Sequence, residues 1–480
     1  MGASAEPAGV GREVEAARRI LAAVPGGTIH LVGIGGVGMA GLAVQLASRG
    51  FKVSGCDGTT SRVTDWLRAQ GVLVEAGHAP AHLSGREACL IRSAAVPENE
   101  PEVATAIARG LPVFRRGAVL PVLLDDRTSI AVAGTHGKTT TSSMIVQALR
   151  AAGVDPGYAI GGEVDGPGVV AAPGDGRWLV VEADESDGTL AGYRPDVAVV
   201  TNIEFDHMEH FCDEAALVAC FEQFVRQARQ RVVYGADDSR AAELCASLPN
   251  AVSYGWSERA DVHGELRNES EKGLRVRVAT GGEFTLPVPG RHNGLNALAA
   301  WAVVQALVPT TPARLAGGLS RFRPVRRRFE RVGEADGVRI VSDYAHHPTE
   351  IRAVLDMARH VSARKRWVVF QPHRYTRTRA LGPDFPPAFA GTDEIVLTPV
   401  YAASEPPLDG GTTEDLLKHF EKWGKVPVRC AGSLEEARSV LRDRLQPGDL
   451  LLVLGAGDVE RLGPWVLEDV RQRAAGAERM

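Results

Sequence analysis

The sequence predicts an α/β protein of three domains, each built around a mainly parallel sheet. Short apolar runs alternate with amphipathic stretches along nearly the whole chain, the pattern of strand–helix–strand units. Two glycine-rich turns, "GIGGVG" and "GTHGK", each sit between such a run and a helical stretch. The 480 residues suffice for about three cores of ordinary domain size.

From Thr28 the first series reads "TIHLVGI", a helix through "GMAGLAVQLASRG", then "FKVSGCD", a helix through "TDWLRAQG", and "VLVEAG". "ACLIRSAAV", the helix "PEVATAIARG" and "LPVF" complete it. Parallel strands need crossovers, and these helices supply right-handed ones. The charged turn "LLDDRTS" closes the series and sets a first domain over 1–124. The strand runs "IAVAG", "RWLVVEAD", "DVAVVTNI" and "RVVYGADD" belong to a second domain over 125–322. Between Val252 and Pro289 the texture changes to "GLRVRVAT" and "EFTLPV", whose shorter alternating runs predict a small antiparallel β insertion on this body. A long Ala-rich helix, "NGLNALAAWAVVQAL", follows it. Beyond "RFRPVRRRFERVG", the runs "VRIVSDYA", "RKRWVVFQP", "DEIVLTPV" and "DLLLVLGAG" define a third domain over 323–480.

Composition excludes several functions. At net charge −5, neither the whole chain nor the basic run "RPVRRRFERV" argues for nucleic acid. No apolar stretch reaches about 18 residues, and the N-terminus lacks a signal-peptide core, so a soluble cytoplasmic enzyme without a membrane partner is expected. Cys56, Cys89, Cys212, Cys220, Cys245 and Cys430 are scattered without a CxxC pair. That spacing predicts reduced thiols, with neither a disulfide framework nor a zinc site. His30, His78, His82 and His360 read as structural or surface histidines.

"GTHGKTTT" meets the generic phosphate-loop pattern in its second half only, since two residues rather than four separate Gly134 from Gly137. The physics still applies: amides at a helix start and the positive helix end favour phosphate. Gly134, Thr135, His136, Gly137, Lys138, Thr139 and Thr140 are therefore candidates for nucleotide binding. Lys138 would reach the β/γ-phosphates, and the Thr139 hydroxyl would ligate Mg²⁺. The following strands end in "EADESD" (Glu182, Asp184, Glu185, Asp187) and "TNIEFDH" (Asn202, Glu204, Asp206, His207). Ligands of open parallel sheets bind at the carboxyl ends of strands, where both clusters would lie. Glu182 suits a second Mg²⁺ contact; His207 needs a second metal site that accepts nitrogen.

Gly33, Gly35 and Gly38 form GxGxxG between a strand and a helix, with Gly36 in the same turn and Asp57 about twenty residues on. This is a dinucleotide fingerprint, yet its mechanical content is a pyrophosphate on a helix N-terminus. A UDP-sugar supplies the same group. A nicotinamide-dependent dehydrogenase leaves the second cradle and its acids unexplained, so the motif decides that a diphosphate binds and not which one.

Together, "GIGGVGM", "AGTHGKTTT", "EADESD", "TNIEFDH", "GRHNGLNALAA", "RRRFE", "DYAHHPTE", "FQPHRYTRTR" and "GAGD" resemble the Mur ligases, the ATP-dependent amino-acid-adding enzymes of peptidoglycan synthesis, over nearly all of residues 28–460. The resemblance implies an N-terminal Rossmann-like domain for UDP-N-acetylmuramate, a central P-loop ATPase-like domain, and a C-terminal Rossmann-like domain for the incoming amino acid. It implies an acyl-phosphate route, with "HRYTRTR" pointing to the branch that adds L-alanine over the one that recycles murein tripeptide. Residue by residue, it assigns Lys138 and Thr139 to phosphates and Mg²⁺, and Glu182 and His207 to metal sites. His292 and Asn296 fall to adenine, Arg327 and Asp343 to ATP phosphate and ribose, and His346, Arg374 and Arg377 to L-alanine. His78 and Arg116 are further candidates for the nucleotide sugar, and a monomer or weak homodimer is expected.

Overall fold

The computed structural model describes residues 7–164, 166, 168–208 and 210–477. Its strands form three sheets. By contact density the chain divides into two compact units: one runs to Arg323, apart from the short segments Glu269–Gly273 and Val288–Gly290, and the other starts at Pro324. Two of the three sheets lie in the first unit.

The first sheet is parallel throughout, in the spatial order Leu73–Ala76, Lys52–Asp57, Thr28–Val32, Glu87–Arg92, Val113–Arg115. The strand order reverses at Thr28–Val32, so the glycine turn that follows this strand opens at a topological switch point. The helix Val37–Ala47 that continues from the turn is buried along almost its whole length. Its small residues allow close approach: a Cβ on Gly41 would meet Ala159 Cβ at 3.0 Å. The buried Gln45 donates to Tyr158 O (3.1 Å) and Ala172 O (2.7 Å), which belong to the last two strands at one end of the second sheet. A single apolar cluster accordingly spans both sheets, from Ile29, Leu42 and Leu46 to Val181, Val200 and Phe221. An N-terminal helix, Pro7–Ala23, was not anticipated from the sequence; it buries Val10, Val14, Ala17 and Leu21, and Val10 and Val14 pack with Ala118.

In the second sheet Thr128–Ala133 lies between Val197–Val200 and Trp178–Glu182, all three parallel and buried on both faces. Their carboxyl ends share one edge. The expected insertion is an extension of this sheet: Ala251–Gly255, Val262–Ser270, Gly273–Val278 and Glu283–Leu286 add to it in order. The last two are antiparallel, with Leu274, Val276, Phe284 and Leu286 inward and Arg275 outward. Phe284 stacks on Trp301 of the long helix Arg291–Leu307, which gives the alternating face its buried partner.

The third sheet runs Glu330–Ala335, Val338–Asp343, Leu450–Leu454, Arg366–Phe370, Glu394–Leu397, Val428–Cys430. It is parallel except for Glu330–Ala335, an antiparallel edge strand whose mostly half-exposed residues carry no strong apolar signal. All six cysteines are free. Among the described residues no helix is long and apolar enough to cross a membrane.

Candidate active site

The loop after Thr128–Ala133 is shaped from below by the neighbouring strand end. Thr201 Oγ1 donates to His136 O at 2.7 Å, Asn202 Nδ2 to the same carbonyl at 3.0 Å, and the His136 amide to Asn202 Oδ1 at 2.9 Å. Gly134 and Gly137 both adopt positive φ, and neither position has room for a side chain: a Cβ would lie 2.0 Å from Thr201 Oγ1 or 2.7 Å from Asn296 Oδ1. Helix Lys138–Ala151 then starts at Gly137 without a side-chain cap, so its first amides face outward as anion donors.

Lys138 Nζ donates to both oxygens of the buried Glu185 (2.8 and 2.9 Å) and to Gly134 O (2.6 Å). Burial disfavours its charge, but Glu185 and Asp184 outweigh that and raise its pKa. Thr139 Oγ1 donates to Glu182, 3.0–3.1 Å from its two oxygens, and Glu182 Oε2 also accepts the Gly161 amide at 2.7 Å. His207, at φ 58°, brings Nε2 to 3.6 Å from Glu185 Oε1. Asp184, Glu185 and His207 each offer a ligand atom within 4.8 Å of the others, a geometry that fits a cation. Burial pushes Asp184 up, yet Lys138, Arg116 and His207 prevail and hold it at about 2.

The N-terminal cradle meets these acids through one arginine. Asp57 Oδ2 accepts the Gly35 amide at 2.8 Å, and its Oδ1 accepts the Thr59 amide at 3.1 Å. A Cβ on Gly35 would lie 2.8 Å from the Asp57 carboxylate, whereas one on Gly38 would press on the Arg116 guanidinium at 3.1–3.2 Å. Arg116 Nη2 in turn lies 3.7 Å from Asp184 Oδ2. The two glycine cradles of this unit therefore share a charged boundary. Gly33, at φ 80°, makes the turn, and Gly36 precedes the helix. His78 turns its Nδ1 to Cys56 Sγ at 3.1 Å, with Nε2 on the side of Gly58.

The second unit gathers its own set. His346 packs edge-on against Tyr344 and tilts over His373, which stacks on Tyr401. Arg377 is 3% exposed and donates from Nη1 to His373 O at 3.3 Å. Arg374, at φ 69°, places Nη1 3.4 Å from Glu405 Oε1. Glu405 also accepts the Thr376 hydroxyl at 2.7 Å. Non-glycine residues in the left-handed region carry strain that surrounding structure must hold. Arg327, also at positive φ, donates to Gly455 O (2.6 Å) and Gly457 O (3.0 Å) and lies over the Tyr344 ring.

Several candidates sit in settings the sequence did not describe. Arg374 caps, and Arg377 lies inside, the short helix Tyr375–Leu381, an element absent from the sequence reading. Asn296 is buried beneath the phosphate loop, where its Oδ1 accepts the Thr141 hydroxyl at 3.1 Å. Both Asp343 oxygens accept backbone amides, from Phe329 (2.7 Å) and Ala345 (2.8 Å), and burial raises its pKa to about 6. His292 is half-buried in the first turn of Arg291–Leu307. The metal-capable group around His207 contains Asp184 and Glu185, which the sequence had not assigned to a metal. The signal was present in "EADESD", but strand-end acids alternate direction, and counting alone does not say which side each takes.

Comparison with known proteins identifies the family. Residues 28–128 match the profile of the Mur ligase family catalytic domain, 132–304 the Mur ligase middle domain, and 327–457 the glutamate ligase domain of Mur ligases. The UDP-N-acetylmuramate–L-alanine ligase of Acidothermus cellulolyticus is 45% identical, covering 94% of this chain and 96% of that protein. The enzyme of the same name from Mycobacterium marinum is 41% identical, with coverage of 94% and 96%. Among solved structures, the UDP-N-acetylmuramate–alanine ligase of Thermotoga maritima superposes with a TM-score of 0.79 at 28% identity, over 94% of this chain and all of the other. With three domain profiles in order and such relatives along almost the full length, the chain belongs to the Mur ligase family.

Proposed function

We propose that the chain is an ATP-dependent ligase that joins L-alanine to UDP-N-acetylmuramate in peptidoglycan precursor synthesis. The observation that carries this reading is Arg116, which lies across Gly38 of one cradle and beside Asp184 of the other. A ligase of this kind must bring a sugar-borne carboxylate to the γ-phosphate of ATP, and a cation bordering both cradles serves that meeting.

A carboxylate is inert to amines at neutral pH. Transfer of the γ-phosphoryl group makes it an acyl phosphate; the alanine amine then attacks the acyl carbon, phosphate leaves with the C–O electron pair, and the amine gives up a proton. The uncapped amides of Lys138–Ala151 and the Lys138 ammonium would hold the β/γ-phosphates, which compete with Glu185 for that ammonium. Thr139 and Glu182 are hard oxygen donors that fit Mg²⁺, and Asp184, Glu185 and His207 fit a second ion that tolerates nitrogen. When bound, such ions neutralise charge on the transferring phosphoryl group.

Gly33, Gly35, Gly36 and Gly38 would take the UDP pyrophosphate, with Asp57 fixing the turn and His78 and Arg116 facing the nucleotide sugar. His292 is the candidate adenine contact, and Asn296 would act through the loop it supports. Arg327 remains a candidate for an ATP phosphate, while Asp343 would fix the backbone around Phe329. His346, Arg374 and Arg377 would orient alanine, a bidentate guanidinium being suited to its carboxylate. We further propose domains over 1–124, 125–322 and 323–480, a cytoplasmic reaction, and a monomer or weak homodimer. Phosphate release, assayed with UDP-N-acetylmuramate or its peptide derivatives and with alanine, glycine or serine, tests the reading. Release that requires both UDP-N-acetylmuramate and alanine supports it; release without an amino acid, or only with a peptide derivative, defeats it.

A further inference from the structure

Asp57 points to Gly35, so its neighbour Cys56 faces the other side of the first sheet. There it meets Glu102, a fully buried carboxylate at the start of helix Pro101–Ala108. Glu102 Oε2 lies 2.9 Å from Cys56 Sγ, 3.5 Å from His82 Nδ1 and 4.0 Å from His78 Nδ1. Cys56 Sγ is 3.1 Å from His78 Nδ1. Glu102 Oε1 is 2.7 Å from His30 Nε2, and His30 Nδ1 is 2.9 Å from Ser54 Oγ. A core carboxylate needs pairing, but three imidazoles and a thiol exceed what one acid requires. Despite the short separations, His30 Nε2, His82 Nδ1 and Glu102 Oε1 are buried without a well-formed hydrogen bond. The Ala79 amide supplies Oε2 with a donor at 3.2 Å, which leaves the imidazole nitrogens unexplained.

We propose that Cys56, His78, His82 and Glu102 bind a zinc ion. One sulfur, two imidazole nitrogens and one carboxylate oxygen make a donor set that zinc favours over magnesium or calcium. Zinc bond lengths imply tetrahedral edges of about 3.3–3.6 Å between ligand atoms. Four of the six edges are seen, from Cys56 to Glu102 and His78 and from Glu102 to His82 and His78, and at 2.9 to 4.0 Å they straddle that range. Charge balances as well. Binding takes the proton from the Cys56 thiol to solvent, and a thiolate, a carboxylate and two neutral imidazoles leave the zinc site uncharged in the core. His30 stands outside the shell and links Oε1 to Ser54, an outer contact of the kind that orients a ligating carboxylate. His78 and His82 stand at H-x3-H spacing, but Cys56 belongs to no CxxC pair and Glu102 lies far along the chain, which is why the sequence predicts no zinc site. The ion would tie strand Lys52–Asp57, the turn Pro80–His82 and helix Pro101–Ala108 together.

The test uses the full chain, stripped with EDTA and titrated with zinc against a chromophoric chelator, then loaded with cobalt(II) for absorption spectroscopy. One tight equivalent per chain beyond any held by the Asp184, Glu185 and His207 group, and a thiolate-to-cobalt charge-transfer band, are expected, with the band absent in Cys56→Ser. The band is specific because the Asp184, Glu185 and His207 group contains no sulfur. His82→Asn, on a partly exposed turn, should lose the tight equivalent while the chain stays folded by circular dichroism. His30→Gln should weaken zinc roughly 10- to 100-fold. No thiolate band in the wild-type chain, a band that survives Cys56→Ser, or equal zinc affinity in wild type and His82→Asn would each overturn the proposal.

Discussion

Lys138→Met keeps most of the side-chain stem and removes the ammonium that lies 2.8 and 2.9 Å from the two Glu185 oxygens. Glu185 is 1% exposed, so the substitution strands a buried carboxylate. Breaking such a pair from one side costs about 3–5 kcal/mol. His207 at 3.6 Å retains part of the compensation, which sets the expectation near the lower end, about 3 kcal/mol. Loss of the same ammonium from the phosphoryl-transfer transition state costs about 3–4 kcal/mol, two to three orders of magnitude in kcat. A second substitution separates the two effects. Glu185→Gln removes the stranded charge, so Lys138→Met/Glu185→Gln should regain most of the lost stability and none of the turnover. Equilibrium urea unfolding, read on the transition of the first unit, should give a coupling of about 2 kcal/mol. Calorimetry should show UDP-N-acetylmuramate affinity nearly unchanged. If the two single destabilisations add to within about 0.5 kcal/mol, the pair is not the buried unit described. If the double variant turns over normally, Lys138 serves the fold and not the phosphates.

Gly35→Ala should raise the KM for UDP-N-acetylmuramate at least tenfold with ATP affinity unchanged, because its Cβ would lie 2.8 Å from Asp57 Oδ2; an equal loss of ATP affinity contradicts the assignment. Arg377→Ala should slow amine attack by about a hundredfold through misplacement of alanine, while acyl phosphate, trapped by borohydride, still accumulates. A variant that yields no trappable intermediate places Arg377 in phosphoryl transfer instead. Burial holds Asp343 at about 6 in the folded state, against about 4 unfolded. The folded chain thus binds more protons between those values, and stability falls as pH rises from 4 to 6, by up to about 3 kcal/mol. Asp343→Asn should flatten that slope in urea unfolding at pH 4.5 and 6.5, and an unchanged slope counts against the assignment. Gly117→Ala should destabilise the first unit by about 1–3 kcal/mol, since its Cβ would overlap Thr189; an unfolding midpoint equal to wild type refutes that packing.

What could be read from the sequence was contiguous. Gly33–Gly38 and Gly134–Thr140 announce themselves because a strand, a tight turn and a helix start occupy neighbouring positions. The acids of "EADESD" and "TNIEFDH" were legible for a related reason, since parallel strands end at a common edge. Contacts made across long separations were not legible. Nothing near Arg116 in sequence indicates Asp184, and nothing near Gly137 indicates that Asn296 closes beneath it. The helix Tyr375–Leu381 was not legible because seven residues of mixed polarity give too few turns for a helical period to emerge. Strands Gly273–Val278 and Glu283–Leu286 were recognised by alternation, but that alternation reports a covered face and not which sheet the strand joins.

Helix Val37–Ala47 also limits how this protein can be recombined. Its amino end opens the first glycine cradle, proposed above for the sugar nucleotide, and Gly41 and Gln45 are fitted to Tyr158, Ala159 and Ala172 of the neighbouring sheet. A chimera that imports residues 1–124 from a distant relative would set a foreign helix face against those strands. One bulky residue opposite Ala159, or an apolar one in place of Gln45, would leave either a clash or two unanswered carbonyls. Productive exchange of sugar-nucleotide specificity therefore has to carry the stretch from Gly157 to Ala172 along with the first domain, so that the unit inherited is larger than the fold it encodes.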